Sequence, residues 1–478
     1  MEQETLQQPS TDHYPSECTT IIVGGKHTAD GSMIVARSED WNAVLAKNLE
    51  LYRDTDHGPE RFVALDSPFR CDLPKEALGY SALAPYHLHG HWGSAGFNTA
   101  GVGMSATESI FSSDRALQAD PLVPEGVAEN SVFNIVRSAR EGVERLGALI
   151  TEHGVAEGFG VGFVDSHEIW YLETASGHRW LATRMPEDQY FVTGNQSRFR
   201  QYDPLDKANY LASDDLIEFA IQHGLYDPSR GAFDFHEAYI RDVALDTTYN
   251  YPRVCGLQAK LSPSIPNDVT RNTFPVFAQA TEPISLGKLR ELFRFHYDGT
   301  DHDPYLHQNP REVYRPVSIF RTTQTHILQV RPELPQAIGR VNYVALGMAD
   351  LGVFLPLYQG VRSYPKAYTK GTNHSSHDSA YWKFRKVQAL GMVNYNRYAP
   401  LIKETYAAFE AEADQRQHEM EEQYLAIYKT QPLRAQDLLQ AFSDQLLRSA
   451  LDVTDELIET LFTRLTEDIQ AEYEFHGA

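Results

Sequence analysis

An abrupt change at Cys18 constrains this chain more than any other feature. The seventeen residues before it, MEQETLQQPSTDHYPSE, are mostly polar and hold four acids. From Cys18 the text becomes CTTIIVGGKHTADGSMIVARSEDW, which reads as a strand, a turn at Asp30-Gly31-Ser32 and a return strand. The return strand ends in a charged cluster at Arg37, Glu39 and Asp40. The cysteine therefore opens the folded domain, at the head of a hairpin.

That position has a chemical consequence. If the Glu17-Cys18 bond is cut, the thiol gains a free α-amine with a pKa of about 7.7–8.0, partly neutral at pH 7. Such an amine takes the proton of an adjacent thiol, and no histidine is needed. The plainer alternative is a buried half-strand cysteine behind a frayed tail. The charged cluster bears on the choice: an arginine beside a thiol favours the thiolate, and a carboxylate can hold an α-ammonium. The commoner use of such residues is a solvated ion pair worth roughly 0–1 kcal/mol.

Together, Cys18-Thr19-Thr20, the turn and Arg37-Ser38-Glu39-Asp40 resemble the start of N-terminal-nucleophile cysteine hydrolases. The match is closest to the dipeptidase family that also includes the secernins. In the related penicillin V acylases and bile-salt hydrolases an arginine and an aspartate three residues apart hold the cysteine, and Arg37 and Asp40 fit that pair. Residues 96–109, GFNTAGVGMSATES, resemble a family segment in which an Asn-x-x-Gly-Val turn leads into a strand bearing active-site polar groups. Asn98, Thr107 and Glu108 fall there. VTGNQ at 192–196 resembles the strand end that supplies an oxyanion-hole asparagine, a role the resemblance gives to Asn195; its plainer reading is a turn residue. An amide donor suits that task, since losing one costs about 10²–10³ in rate. Arg253 in YNYPRVCGL corresponds to a second family arginine.

The resemblance implies a dipeptide substrate and a thioester acyl-enzyme, with residues 1–17 as a propeptide released by attack of Cys18 on the Glu17 carbonyl. Both charges of a dipeptide require partners: Glu108 is assigned to the ammonium, and Arg253 or Arg321 to the carboxylate. Three other readings stay open: an amidase of the penicillin V acylase or bile-salt hydrolase type, a secernin-like protein with a non-hydrolytic role, and a metal-dependent peptidase. For the last, HLHGH (His87, His89, His91) and HSSHD (His374, His377, Asp378) suggest zinc. A catalytic zinc site also wants a carboxylate or cysteine ligand and an open position, which nothing marks here. They read as polar loop histidines, and neither a metal nor a cofactor is expected.

A net charge of −23 over 478 residues argues against nucleic acid or an anionic membrane surface as the main partner. Three cysteines are too few to staple a chain this long, so a reducing compartment, the cytoplasm, is expected. No apolar run reaches transmembrane length, and the first seventeen residues do not read as a signal peptide.

Periodicity predicts an α+β fold, to which the resemblance adds a four-layer αββα sandwich. Strands are predicted over TTIIVGG, SMIVARSE, GVGMSATE, GFGVGFVD, EIWYLET, HRWLATRM, QYFVTGN, VYRPVSIF, HILQVRP and VNYVALGM. Helices are predicted over 130–154 and 214–224, each ending in glycine. Residues 401–428 and 434–473 read as long, acidic, amphipathic helices, either an appended layer or a contact in a homo-oligomer. The expected organisation is a propeptide at 1–17, a hydrolase domain at 18–376, and a helical extension at 377–478 packed on the same domain. Specificity is expected in the loops at 55–90 and 225–275.

Overall fold

The computed structural model describes residues 17–56, 61–63, 68–72, 76–88, 95–108, 123, 132–155, 158–306 and 314–473. The opening hairpin forms as expected, from β1 (Glu17–Val23) and β2 (Met33–Asp40). Its turn is closed by Asp30 Oδ1 accepting from Ser32 N at 3.1 Å, with Gly31 at φ 76°.

The remaining strands in chain order are β3 (Lys47–Tyr52), β4 (Tyr80–Pro85), β5 (Ala95–Phe97), β6 (Gly103–Glu108), β7 (Phe159–Val164), β8 (Ile169–Thr174), β9 (Trp180–Arg184), β10 (Tyr190–Thr193), β11 (Tyr210–Ala212), β12 (Phe277–Ala278), β13 (Thr322–Val330), β14 (Arg340–Leu346) and β15 (Leu355–Tyr358). One antiparallel sheet runs β12-β10-β1-β2-β13-β14-β15, and a second runs β11-β9-β8-β7-β6-β5. β3 and β4 form a separate ribbon, with two shorter hairpins beside it in sequence.

Alternation along the strands sorts the apolar side chains into three cores. Ile22, Val35, Leu328, Val164 and Tyr171 fill the space between the sheets. Val161, Trp170 and Leu172 point the other way and meet helix α1 (Ala139–His153). On the far side of the first sheet, Ile21, Ile34 and Ala36 meet the remaining large helices. Three interfaces separate four layers, helix, sheet, sheet, helix, as the resemblance implied. Because β2 is central and flanked by β1 and β13, its charged end lies deep in the molecule.

Two expected elements differ. α1 begins at Ala139, not 130, because Ser138 caps it: its hydroxyl accepts from Glu141 N at 3.1 Å. VYRPVSIF forms no strand over its described residues, 314–320; Pro316 lacks an N–H for a ladder, and the segment is a loop that delivers Arg315 inward. The shorter predicted helix is α2 (Leu216–Gln222).

The outer helical layer comprises α3 (Tyr251–Leu261), α4 (Leu286–Phe293), α5 (Ala380–Val393), α6 (Tyr395–Ile427) and α7 (Pro432–Glu472). Phe384, Ile402 and Leu446 share one core with Ile21 and Ala36 of the sheet. Two bidentate pairs tie α6 to the body: Arg290 to Asp414 at 2.7 and 2.8 Å, and Arg331 to Glu421 at 2.8 and 2.7 Å. Among the described residues, no helix is long and apolar enough to cross a membrane.

Candidate active site

Pairing of β1 with β2 sets Cys18 opposite Glu39 and Glu17 opposite Asp40. Opposed residues share a face, and neighbours along a strand do not. Cys18, Arg37 and Glu39 therefore lie on the face between the sheets, with Ile22 and Val35, whereas Thr19 and Asp40 lie on the helix-covered face, with Ile21 and Ala36.

On the inner face, Cys18 is fully buried, and Arg37 Nη1 donates to its Sγ at 3.4 Å. A guanidinium so placed favours the thiolate. Nη2 of Arg37 lies 3.4 Å from Glu39 Oε2. Glu39 is held from three more sides: Lys47 Nζ pairs with Oε1, Gln324 Nε2 donates to Oε2 at 3.0 Å, and Thr323 Oγ1 lies 3.3 Å from Oε1. Burial pushes the Glu39 carboxyl up, but Lys47 and Arg37 outweigh it and bring it down to about 2. His326, on β13 opposite Arg37, bridges Gln324 Oε1 at 3.0 Å and Ser105 Oγ of the second sheet at 2.8 Å. Burial and the charge of Arg37 hold it well below the usual imidazole range.

On the helix-covered face, Arg253 of α3 reaches under Cys18. Its Nη1 donates to Cys18 O at 2.6 Å and to Thr19 Oγ1 at 3.0 Å. Its Nη2 donates to Asn195 Oδ1 at 2.8 Å and Asn250 Oδ1 at 2.6 Å. Asn195 Oδ1 also accepts from Cys18 N at 3.2 Å. Asn250 holds the Asn195 backbone N–H at 2.9 Å and is itself held by Asp246 at 2.6 Å. The loop after Asn195 is pinned by the buried Glu173 carboxylate, which accepts from Arg198 N at 2.9 Å and Phe199 N at 3.2 Å. Burial and nearby Arg315 drive the Arg253 guanidinium well below its ordinary value, against Asp40.

Asp40 has different partners from those its spacing suggested. Its oxygens go to Arg315 and, at 2.5 Å, to Thr322 Oγ1, while the Cys18 N–H goes to Asn195. The reason is alternation: residues three apart on a strand point to opposite faces, so Arg37 and Asp40 bracket the Cys18 backbone from two sides.

Cys18, Arg37, Asp40, Asn195 and Arg253 are thus brought together. Arg321 borders them, donating from Nη2 to Tyr249 Oη at 2.8 Å; the Tyr249 ring lies 5.2 Å from Arg253 Cζ and 5.5 Å from Arg315 Cζ. Asn98 is engaged elsewhere: its amide donates to Phe133 O and Val136 O at 2.8 Å each, and its oxygen accepts from Val102 N at 3.0 Å, which fastens a turn. Thr107 and Glu108 end β6, and their side chains lie outside the described residues, as do His89 and His91. His87 packs against Trp41 at a ring distance of 5.9 Å.

Lys47, Asn250, Arg315 and Thr322 escaped the sequence reading. Register alone could have singled out Glu39, once Cys18 was paired across the hairpin.

Cys18 thus heads a strand between two stacked antiparallel sheets, with the Arg37 guanidinium on its sulfur and the Arg253 guanidinium on its carbonyl oxygen. The chain belongs to peptidase family C69, whose profile matches residues 17–408. It is 50% identical over 361 residues to a probable dipeptidase of Salmonella dublin, covering 74% of this chain and 83% of that one. It is 35% identical over 392 residues to probable dipeptidase A of Streptococcus pyogenes serotype M3 (80% and 84% covered), and 29% identical over 471 residues to probable dipeptidase B of Lactococcus lactis (96% and 98%). Among solved structures, penicillin V acylase from Agrobacterium tumefaciens matches at 12% identity with a TM-score of 0.37, covering 72% of this chain and 86% of that one.

Proposed function

We propose that this chain is a cysteine dipeptidase in which Cys18, freed of its leader, is the nucleophile. The observation that carries the reading is the Arg37 Nη1 to Cys18 Sγ contact at 3.4 Å, at the second residue of β1, in a chain of a peptidase family. In maturation, Sγ attacks the Glu17 carbonyl carbon and the Cys18 nitrogen leaves it, taking a proton. The resulting thioester is hydrolysed by water, which releases residues 1–17 as a carboxylate and leaves a free thiol beside a free amine.

In turnover the amine accepts the thiol proton, and the thiolate adds to the peptide carbonyl of the substrate. Asn195, whose Oδ1 accepts from Cys18 N and from Arg253, is the candidate amide donor for the developing oxyanion. The amine, now an ammonium, returns its proton to the leaving amino group, and water then hydrolyses the thioester. Asp40 fixes Arg315 and β13 beneath this backbone, and Arg321 is the candidate for the substrate carboxylate, Arg253 being engaged with Cys18 O, Thr19, Asn195 and Asn250. Glu108 is kept for the ammonium. Three cysteines in 478 residues fit a reducing cytoplasm.

The test starts with intact mass and N-terminal sequence of protein expressed from the full frame, followed by a panel of dipeptides and acyl amides. A chain beginning at Cys18 that cleaves dipeptides is expected. Cys18→Ala should give folded, uncleaved, inactive protein, and dipeptide hydrolysis surviving in it sinks the proposal.

A further inference from the structure

Six charged side chains surround Cys18, and all are buried: Arg37, Lys47, Arg253 and Arg315 against Glu39 and Asp40. His326 faces them with both ring nitrogens engaged by Gln324 and Ser105, and burial and Arg37 hold it well below the usual imidazole range; His87 lies near Lys47, Tyr381 near Glu39, and Tyr297 and Tyr305 near Arg315. Asp40 and Arg315 pair with each other on the helix-covered face. On the inner face, Glu39 stands within reach of two cations. Alone with Arg37, it would neutralise the very charge that faces the thiol. Lys47 prevents this by pairing with Oε1, and Arg37 keeps a long contact of 3.4 Å to Oε2 while its other nitrogen stays on sulfur. Lys47 sits on β3, outside both sheets, with its side chain fully enclosed. Burying an ammonium is expensive unless it serves a partner.

We propose that Lys47 is a positioning residue for the nucleophile: by occupying Glu39 it leaves the positive charge of Arg37 to the Cys18 thiolate. The buried centre then carries two more cations than carboxylates, and the thiolate is one of the anions it lacks. This rests on Cys18 being the reactive group, and it adds a residue that touches neither sulfur nor substrate.

The test is the pH dependence of Cys18 alkylation by iodoacetamide in the mature protein, read by peptide mass so that Cys71 and Cys255 do not interfere. Lys47→Met is expected to raise the midpoint by about one pH unit, a tenfold loss of thiolate below it. Lys47→Gln, which keeps a donor for Glu39 without the charge, carries the same expectation and serves where the methionine variant does not fold. Lys47→Arg should keep the wild-type midpoint. The double variant Lys47→Met, Glu39→Gln removes one charge of each sign and should bring the midpoint back, which a merely structural role for Lys47 does not require. A midpoint unmoved in folded Lys47→Met, or left raised in the double variant, overturns the proposal. If wild-type Cys18 is not alkylated selectively, it is the reading of Cys18 as nucleophile that fails.

Discussion

Gly194 has no room for a side chain. A methyl there would fall 2.8 Å from both Arg253 Nη2 and Asn250 Oδ1, the two atoms that set Asn195 against the Cys18 N–H. Gly194→Ala is therefore expected to lower kcat by about 10²-fold in folded protein, since displacements near 1 Å at a reacting centre cost that much; steady-state kinetics on one dipeptide suffice. Arg253→Met removes a donor from five acceptors at once, Tyr249 O among them, and should cost about 3 kcal/mol or more in denaturant titrations, besides activity. Glu39 has a pH signature. Its folded-state pKa, about 2, lies below the ordinary 4.5. It therefore adds stability that is whole above pH 4.5 and lost as pH falls toward about 2, on the order of 3 kcal/mol for that shift. Glu39→Gln should flatten the acid limb of the stability curve; an unchanged acid limb would contradict the charge assignment.

At the scale of elements, α1 rides on the second sheet through two glycines. A Cβ on Gly147 would meet Trp180 Cζ2 at 2.1 Å, and one on Gly142 would meet Phe163 Cδ1 at 2.5 Å. Glycine to alanine within a helix ordinarily stabilises by about 0.5–1 kcal/mol. Here Gly147→Ala should instead destabilise by about 1–3 kcal/mol, because the ring must move. Near the start of α6, His296 bonds Asp303 at 3.0 Å and Asp298 at 2.7 Å and meets Tyr395 Oη at 2.9 Å. Burial opposes charge on this ring, but Asp298, Asp350 and Asp303 outweigh it and raise its pKa. Its contribution is whole below about pH 6.5 and is lost as pH rises through the raised folded-state value. His296→Gln should flatten stability on that alkaline side, measured by urea titrations between about pH 6 and 9.

Legibility followed distance along the chain. The hairpin, Arg37 and the terminal glycines of α1 and α2 announce themselves within a few residues, through alternation, turn chemistry and capping. Asn250, Arg315 and Lys47 carry no local mark: an arginine in YRPVS looks like any loop arginine until the fold sets it against Asp40. The face to which Asp40 points follows from strand period alone, whereas its partners Arg315 and Thr322 come from far along the chain. α1 was drawn too long because apolar residues at 132, 133, 135 and 136 continue its stripe past the serine that caps it.

Taken whole, the molecule has one core on the helix-covered face of its first sheet, to which α5, α6 and α7 contribute as fully as β1 and β2. Removing residues 377–478 would strip the helices that pack on β14 and β15 and uncover Val341 and Tyr358. Such a truncation is expected to be insoluble, and the full chain should lose tryptophan fluorescence and far-ultraviolet ellipticity in one coincident urea transition. Cys18 also depends on parts that are far from it in the chain. Arg253 grips the Cys18 carbonyl, and Arg315 holds Asp40. Ribosomes add about 5–20 residues per second, so Cys18 leaves the exit tunnel tens of seconds before these arginines exist. The interval is a built-in delay, during which Cys18 lacks the grips on its backbone and is still an ordinary cysteine on a nascent chain.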